Sequence, residues 1–198
     1  MEINMYYIME CPILTTAAGE AVMEIHNTFR LAGIRLWQNN RPIPPEKKQN
    51  IPDPIEIDFD VFRGYEGPPS EFEDLGIPVM SDRLYQVLVS CGVDNLEVFP
   101  AVLKNTSTQQ KYKYYAYKIY DVVPLMNLRE SEYETYRNTG PATIHKFVAD
   151  ESRTRGLLMF RMAESITDIV VHESVKKAIE AAGIDTVEFI KPEDFTSI

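Results

Sequence analysis

The chain has 198 residues, of which 44% are hydrophobic and 25% are charged, a composition typical of a folded globular protein. Its 20 Lys and Arg residues face 30 Asp and Glu residues, and the net charge of -10 disfavours nucleic-acid binding, which needs a basic surface. The acidity is compatible with plain solubility or with attraction to a basic partner.

The cysteines and the first residues indicate the cellular compartment. Cys11 and Cys91 have no CxxC spacing, and two cysteines in a chain of this size are not typical of a disulfide-stapled fold. Residues 1–13 show no basic region, no long apolar run and no cleavage site of a secretory signal. No stretch is apolar for long enough to span a membrane. We therefore expect a cytoplasmic protein.

Before residue 55 the predicted elements are few. Residues 3–9 are rich in β-branched and aromatic residues and predict a strand. Residues 17–32 are ambiguous, because their apolar residues have helix-like spacing while a Thr and a nearby Gly disfavour a helix. Residues 34–37 predict a short strand at most. Residues 41–54 contain five prolines and predict an irregular loop, since proline lacks the backbone donor that helices and sheets need.

The next elements are a strand and a loop. From residue 55 to residue 62, four apolar residues alternate with Glu56, Asp58, Asp60 and Phe62, which predicts a half-buried strand with an acidic outer face. Residues 64–76 predict a loop. The acids Asp58 and Asp60 lie two positions apart and therefore face the same side of the strand.

A helix–Gly–strand pattern then occurs twice, at an offset of 91 residues. The apolar positions of the two helical stripes are Leu84, Val87, Leu88 and Cys91, and then Val175, Ala178, Ile179 and Ala182. Gly92 and Gly183 follow, where glycine can close a helix C-terminus in the left-handed conformation. A true duplication and a chance repeat of a common unit both remain open.

The two predicted helices begin differently. Ser81 is a good N-cap for the first helix, and an acid follows it in the first turn. His172 takes the place of that serine in the second copy. Because histidine is a poorer cap, we expect the second helix to start at Ser174.

The remaining segments complete the predicted fold. Residues 111–123 are rich in tyrosine and predict a strand paired in a hairpin with residues 96–104, and the alternate tyrosines favour core and cross-strand packing over interface anchoring. Residues 124–140 predict irregular chain with one helical turn at 130–136. Residues 142–149 and 157–163 predict two further strands.

The pattern as a whole predicts an α+β protein. We expect a mostly antiparallel sheet, fewer helices than strands, and the two similar helix–Gly–strand units packed on the sheet. One domain should cover residues 1–198, divisible into a sub-lobe at 1–77 and the duplicated helix–strand lobe at 78–198.

No catalytic or cofactor signature is present in the sequence. His26, His145 and His172 share no metal-ligand spacing with one another or with a cysteine pair. Nucleophile-elbow, P-loop and dinucleotide-binding motifs are absent. We therefore predict no catalytic, metal or cofactor-binding residue, while a site assembled from distant residues stays open as an alternative.

The acid-rich stretch is the strongest candidate for a binding surface. Asp58 and Asp60 on the predicted strand are followed by Glu71, Glu73 and Asp74 in the predicted loop. A solvated face, a docking surface for a cationic partner and a catalytic pair are the three interpretations. An outward strand face gives neither the burial nor the separated pKa values that a catalytic pair needs. We therefore take these five acids as candidate partner-binding residues.

The order of several segments resembles the bacterial immunity-protein family eleven. The segments are Trp37 with residues 42–44, then residues 78–88, 95–103, 114–131 and 157–189. His172 departs from the serine usual at that position in the family. The resemblance implies a non-enzymatic cognate antitoxin of polymorphic or secreted toxin systems, with no catalytic residues to carry over.

The resemblance and the charge together indicate a partner. They imply a cognate toxin, basic in character and acting in the cytoplasm, such as a nuclease or a nucleotide-directed enzyme, that the chain blocks by occlusion. An uncharacterised cytoplasmic enzyme and a scaffold subunit are the alternatives.

Overall fold

The computed structural model describes most of the chain, and every count below refers to that part. The described residues are 5–12, 15, 18, 22–26, 31–34, 37–62, 65, 67–74, 76–135 and 141–196. Their strands are β1 (Tyr6–Glu10), β2 (Met23–Ile25), β3 (Ile55–Val61), β4 (Phe72–Glu73), β5 (Val79–Ser81), β6 (Leu96–Asn105), β7 (Lys111–Ile119), β8 (Val122–Val123), β9 (Glu132–Thr135), β10 (Pro141–Lys146), β11 (Met159–Met162), β12 (Ile169–His172) and β13 (Glu188–Ile190). The α-helices are α1 (Pro45–Lys48), α2 (Asp82–Ser90) and α3 (Glu173–Ala181), and 3₁₀ turns lie at Glu151–Arg153 and Pro192–Asp194.

The strands form two large sheets and a separate pair. The first sheet has the order β13-β1-β12-β11-β8, the second has the order β2-β3-β6-β7-β5-β4, and β9 pairs with β10. In the two large sheets, all pairings are antiparallel except β8 with β11 and β3 with β6. The α+β class, the mostly antiparallel pairing and the excess of strands over helices are therefore confirmed for the described residues.

The repeated sequence pattern forms two split β-α-β units, one in each large sheet. In the first unit, α2 connects β5 to β6, and both strands pair antiparallel with β7, which lies between them. In the second unit, α3 connects β12 to β13, and both pair antiparallel with β1. Each helix therefore crosses over one central strand to join two parallel strands.

The register of the two units is also the same. Ser81 lies opposite Tyr114 in the first unit, and His172 lies opposite Tyr6 in the second. Equivalent residues of the two units are 91 positions apart in the chain on the outer strands and 108 positions apart on the central strands. The pairing of the second outer strand with the central strand shows the same two differences. The repeat is thus a repeat of topology and register, with its central strand taken from a different place in the chain.

Both helices begin at equivalent caps. The Ser81 hydroxyl accepts a hydrogen bond from the Leu84 N–H at 3.0 Å, and His172 Nδ1 accepts one from the Ser174 N–H at 3.1 Å. The second helix starts at Glu173, so the expected start at Ser174 was wrong. An imidazole nitrogen can accept from the first turn as a hydroxyl oxygen does, which satisfies one of the unpaired donors there.

The two helices pack against each other in a core that both large sheets share. α2 contributes Leu84 and Leu88 to this core, and α3 contributes Val175 and Ile179. The sheets supply the remaining buried residues, which include Tyr7, Met9, Ile169 and Val171 from the first sheet and Phe72, Met80, Tyr117 and Ile119 from the second. One apolar stripe on each helix therefore joins the two sheets.

Two further cores lie on the opposite faces of the large sheets. The inner face of β3 in the second sheet packs on the loop that carries Trp37, which is fully buried and meets Phe99 edge to face at 5.6 Å between ring centroids. The other face of the first sheet packs on Ile144, Phe147 and Phe195. Trp37 is therefore a core residue that anchors its loop.

Several local predictions require correction. Residues 41–54 contain the one-turn helix α1, because Pro45 occupies a first-turn position where the missing N–H costs nothing. A helical turn was expected at 130–136, but in the described part of that range, up to residue 135, the chain forms β9, which pairs with β10. The loop expected at 64–76 includes the short edge strand β4. The described part of 17–32 includes β2, and Phe29 lies outside the described residues.

The hairpin predicted from the tyrosine-rich segment is confirmed for Lys111–Ile119, but the prediction was wrong at its end, because Val122–Val123 form β8 in the first sheet. β7 pairs with β6 over its whole length, and Tyr114 and Tyr117 are buried. Tyr115 contacts Tyr85 with ring centroids 4.5 Å apart, and Tyr112 contacts Phe59 at 5.8 Å. These side chains therefore pack the sheet against its neighbours.

The division of the chain at residue 77 stays a prediction. β1 pairs with β12 and β13, and β3 pairs with β6, so strands from both sides of that boundary share both large sheets.

Replacing Leu88 or its equivalent Ile179 with Ala should lower the free energy of unfolding by about 2–5 kcal/mol, because each side chain is fully buried in the shared core. Urea denaturation followed by circular dichroism measures the loss. The control Val89→Ala trims a side chain that is 48% exposed on the same helix and should cost less than about 0.5 kcal/mol. Equal losses at Leu88 and Val89 would contradict the assignment of the buried stripe.

Candidate functional site

The outer face of the second sheet is only half covered. The half near β5 and the start of β6 lies under α2, where Met80, Tyr117 and Ile119 join the shared core. The other half remains open to solvent, and its residues define what we call the uncovered face. These residues are Glu24, Glu56, Asp58, Asp60, Val102, Lys104, Lys111 and Lys113.

Two of the five candidate acids lie on the uncovered face. Asp58 is exposed on β3, and its carboxylate has no hydrogen bond or ion pair with the described residues. Asp60 accepts hydrogen bonds from the Thr106 hydroxyl and from His26 Nε2, the latter at 2.8 Å. The alternation of β3 produces this arrangement, because Ile55, Ile57 and Phe59 turn to the core.

Lysines occupy the neighbouring strands of the same face. Asp58 lies opposite Lys104 of β6, and Lys104 lies opposite Lys111 of β7. Lys111 donates to Glu56 Oε1 at 2.9 Å, which lowers the pKa of that exposed carboxyl. The face is therefore acidic over β2 and β3 and basic over β6 and β7, a division that the sequence pattern of β3 alone did not reveal.

The other three candidate acids lie away from this face, in the segment that contains β4. Glu71 accepts hydrogen bonds from the Ser81 hydroxyl and from Arg83 Nη1, the latter at 3.2 Å, and its side chain is 17% exposed. Ser81 is also the N-cap of α2. Glu71 therefore supports the start of that helix, in addition to carrying a charge.

Glu73 is a partly buried carboxyl on β4. Burial raises its pKa from the ordinary value of 4.5 to about 7, the hydrogen bond to Ser70 works in the opposite direction, and the neighbouring Asp74 adds to the increase. Water solvates a carboxylate better than this environment does, so the protonated form gains relative stability.

Asp74 forms a buried ion pair with Arg161 of β11. Its two carboxylate oxygens accept from Arg161 Nη2 at 2.9 Å and from Arg161 Nη1 at 3.0 Å, and the Tyr117 hydroxyl donates to the same carboxylate at 2.9 Å. Arg161 is 0% exposed and also donates to the backbone carbonyls of Ile166 and Thr167. Burial raises the pKa of Asp74, and the hydrogen bonds from Arg161 oppose that increase.

This ion pair joins the two large sheets through polar groups. Asp74 follows β4 of the second sheet, whereas Arg161 lies in the first sheet. The Asp74 carboxylate and the two carbonyls provide acceptors for both terminal nitrogens of the guanidinium, although Arg161 Nε has no hydrogen-bond partner among the described residues. Asp74 therefore has a structural role. It was grouped with the candidate partner-binding acids because it follows Glu71 and Glu73 in the sequence.

A buried lysine holds the loop around Trp37. Lys118 Nζ donates to the carbonyl oxygens of Trp37 and Asn39, the first at 2.8 Å. Burial and the positive charge of Arg161 lower the pKa of Lys118 to about 8, and the negative charge of Glu97 opposes them. The lysine therefore gives the buried Trp37 carbonyl a donor and ties this loop to β7.

An open groove of about 270 Å³ lies beside β1. It is lined mainly by apolar residues, among them Met5, Tyr6, Phe147 and Pro192, together with the charged Glu151, Lys191 and Glu193. None of the residues that line this groove is a histidine or a cysteine. The groove does not contain the five candidate acids.

Two of the three histidines lie beside carboxylates, and the two cysteines are not bonded to each other. His26 pairs with Asp60, and His145 Nε2 lies 3.0 Å from Glu134 on the paired strand β9. Cys11 and Cys91 form no disulfide, and burial raises the pKa of the Cys11 thiol to about 12. Over the described ranges, no group of three His, Cys, Asp or Glu side chains could hold a metal ion.

A comparison with known proteins places the chain in a family. The model of an immunity protein family, Imm11, matches residues 7–194. Because the match covers nearly the whole chain, the protein belongs to the Imm11 immunity protein family, which confirms the resemblance seen in the sequence. No curated protein gives a significant match to the chain. Among the described residues, none of the helices is long and apolar enough to cross a bilayer.

Replacing Glu73 with Gln should increase stability at pH 8 relative to the wild type, by an amount on the order of 2 kcal/mol, and should change it little near pH 4. The folded protein holds the Glu73 proton up to about pH 7 and the unfolded chain only up to about 4.5. The Glu73 carboxyl therefore makes the free energy of unfolding fall as the pH rises from about 4.5 to about 7. Urea denaturation across the window measures the difference.

The matched change Glu193→Gln, at an exposed carboxyl on a 3₁₀ turn, should leave the pH profile of the wild type unchanged. If Glu73→Gln keeps the wild-type profile as well, the assignment of a raised pKa to Glu73 is wrong.

Replacing Arg161 with Met should lower the free energy of unfolding by about 3–5 kcal/mol, because it leaves the Asp74 carboxyl buried without its charged partner. Adding Asp74→Asn should recover part of that loss, and a double-mutant cycle measures the recovery. Arg129→Met, at an exposed arginine, is the matched control and should cost less than about 0.5 kcal/mol. Simple additivity of the two changes would contradict the pairing.

Proposed function

We propose that the protein is an immunity protein that binds a cognate bacterial toxin and neutralises it by covering the toxin's functional surface. It acts by contact and transforms no substrate. The observation that carries this proposal is the Imm11 family match over residues 7–194.

The charge of the chain supports a basic toxin as the partner. A net charge of -10 creates a long-range field that attracts a basic protein and accelerates its encounter with the acidic one. Nucleic acid is a poor partner for the same reason. Of the five candidate acids, we propose Asp58 and Asp60 as the contact residues, because their carboxylates lie on the uncovered face, whereas Glu71, Glu73 and Asp74 lie away from it.

We propose the cytoplasm as the place of action. The two cysteines are unpaired, which suits a reducing compartment. A toxin that acts on cytoplasmic nucleic acids or nucleotides would meet an inhibitor there. A toxin that acts on the cell wall would contradict this part of the proposal.

Co-expression with the toxin domain encoded by the adjacent gene should restore growth of cells that the toxin alone arrests. The two purified proteins should also form a stable complex in size-exclusion chromatography, since occlusion requires a lasting contact. Absence of both rescue and complex formation would refute the proposed function.

The dependence on protein ratio separates occlusion from an enzymatic mechanism. If the protein works by covering the toxin, inhibition of toxin activity in vitro should rise in proportion to the amount added and be complete near one protein per toxin. An enzyme that modified the toxin or its product would protect at a small fraction of that ratio. Protection at such low ratios would contradict occlusion even if the two proteins bind.

A further inference from the structure

The uncovered face is an exposed part of a sheet whose other half lies under a helix. Glu24 on β2, Glu56 on β3, and Lys111 and Lys113 on β7 all have side chains that are 56–65% exposed. Val102 lies between Glu56 and Lys113 in the cross-strand register. A broad, regular and rigid surface is therefore available on strands whose opposite side is fixed in the core.

The charges of this face are arranged in two bands. One band is acidic and contains Glu24, Glu56, Asp58 and Asp60, and the other is basic and contains Lys104, Lys111 and Lys113. Asp58 and Lys104 are cross-strand neighbours, and neither has an ion pair with the described residues. Both charges are thus available to a partner.

An exposed aromatic residue stands at the end of the acidic band. Phe62 directly follows β3, continues its alternation with Asp58 and Asp60, and donates its N–H to the Val22 carbonyl at 3.0 Å. Its side chain is 45% exposed. Large aromatic side chains held on a fixed backbone beside charged groups are typical anchors of protein interfaces.

We propose that the toxin docks on the uncovered face, with Phe62 as its apolar anchor. This inference rests on the proposed function and specifies the contact surface. The partner that fits has basic side chains over β2 and β3, acidic side chains over β6 and β7, and an apolar recess for Phe62. Two opposed charge bands fix the orientation of the partner, which a uniformly acidic face would not do.

A second copy of this chain is the competing occupant, since two opposed bands can also be complementary to themselves. The total charge argues against it. Two copies that each carry a net charge of -10 repel one another at long range, whereas a basic toxin is attracted.

The test measures binding of the purified toxin domain from the adjacent gene by surface plasmon resonance at low and physiological ionic strength. Asp58→Lys should slow association about tenfold at low ionic strength and less at physiological ionic strength. Lys104→Glu should accelerate dissociation about tenfold, because it repels the acidic side chains that the partner places over β6 and β7. Phe62→Ala should leave association nearly unchanged and accelerate dissociation about 30-fold.

Matched controls make the same chemical changes elsewhere. Asp185→Lys reverses an exposed acid before β13, and Leu128→Ala trims a side chain that is 49% exposed outside the second sheet. Both controls should bind as the wild type does. Circular dichroism of every variant verifies the fold, and all the changed residues lie at the surface.

The outcomes distinguish the two proposals. If the wild type does not bind the toxin, the proposed function fails. If the wild type binds and the three face variants behave like the controls, the toxin docks elsewhere and this inference is overturned. If the wild type sediments as a dimer that the face variants dissociate, the face serves self-association and the inference is also overturned.

Discussion

The packing of α2 against α3 is the interaction on which the rest of the structure depends. Each helix has nine residues, too few to be stable alone, so each must bury its apolar stripe against other elements. The stripes meet each other, one face of the first sheet and part of one face of the second. This common core leaves half of the second sheet's outer face without a cover, which is where the uncovered face lies.

Buried polar groups supplement this apolar contact between the sheets. The pair of Asp74 and Arg161 joins the segment after β4 to β11, and Lys118 holds the carbonyls of the loop around Trp37. Buried charges are costly, so each of these groups is surrounded by several hydrogen-bonding partners. The acid-rich stretch of the sequence therefore divides into two physical roles. Asp58 and Asp60 face outward on β3, and Asp74 belongs to the scaffold.

The sequence predicted those features that local physics determines. The alternation at residues 55–62 predicted β3, because a half-buried strand shows its period in a few residues. The apolar stripes, with Gly92 and Gly183 after them, predicted α2 and α3. Glycine readily adopts the positive φ that ends a helix, so its position in the sequence indicates the helix end. The family resemblance depended on the same segments and was confirmed over residues 7–194.

Contacts between distant residues could not be predicted in this way. Asp74 and Arg161 are 87 residues apart, and no local pattern connects a loop acid with a strand arginine. The basic band on β6 and β7 became visible only when the register placed Lys104 beside Asp58. The position of β1 between β12 and β13 likewise depends on the assembled sheet.

The two units take their central strands from different places in the chain, and this affects the order in which the units can form during protein synthesis. Residues 79–119 form the first split β-α-β unit in one continuous segment, so this unit can close while the chain is still on the ribosome. β1 is made early, but both of its partner strands lie after residue 168. Its four buried residues therefore find their neighbouring strands only after residues 169–190 have been synthesised. A chain truncated before β12 would expose the apolar strand β1 with both of its edges unpaired. Such a chain would tend to aggregate or to bind chaperones.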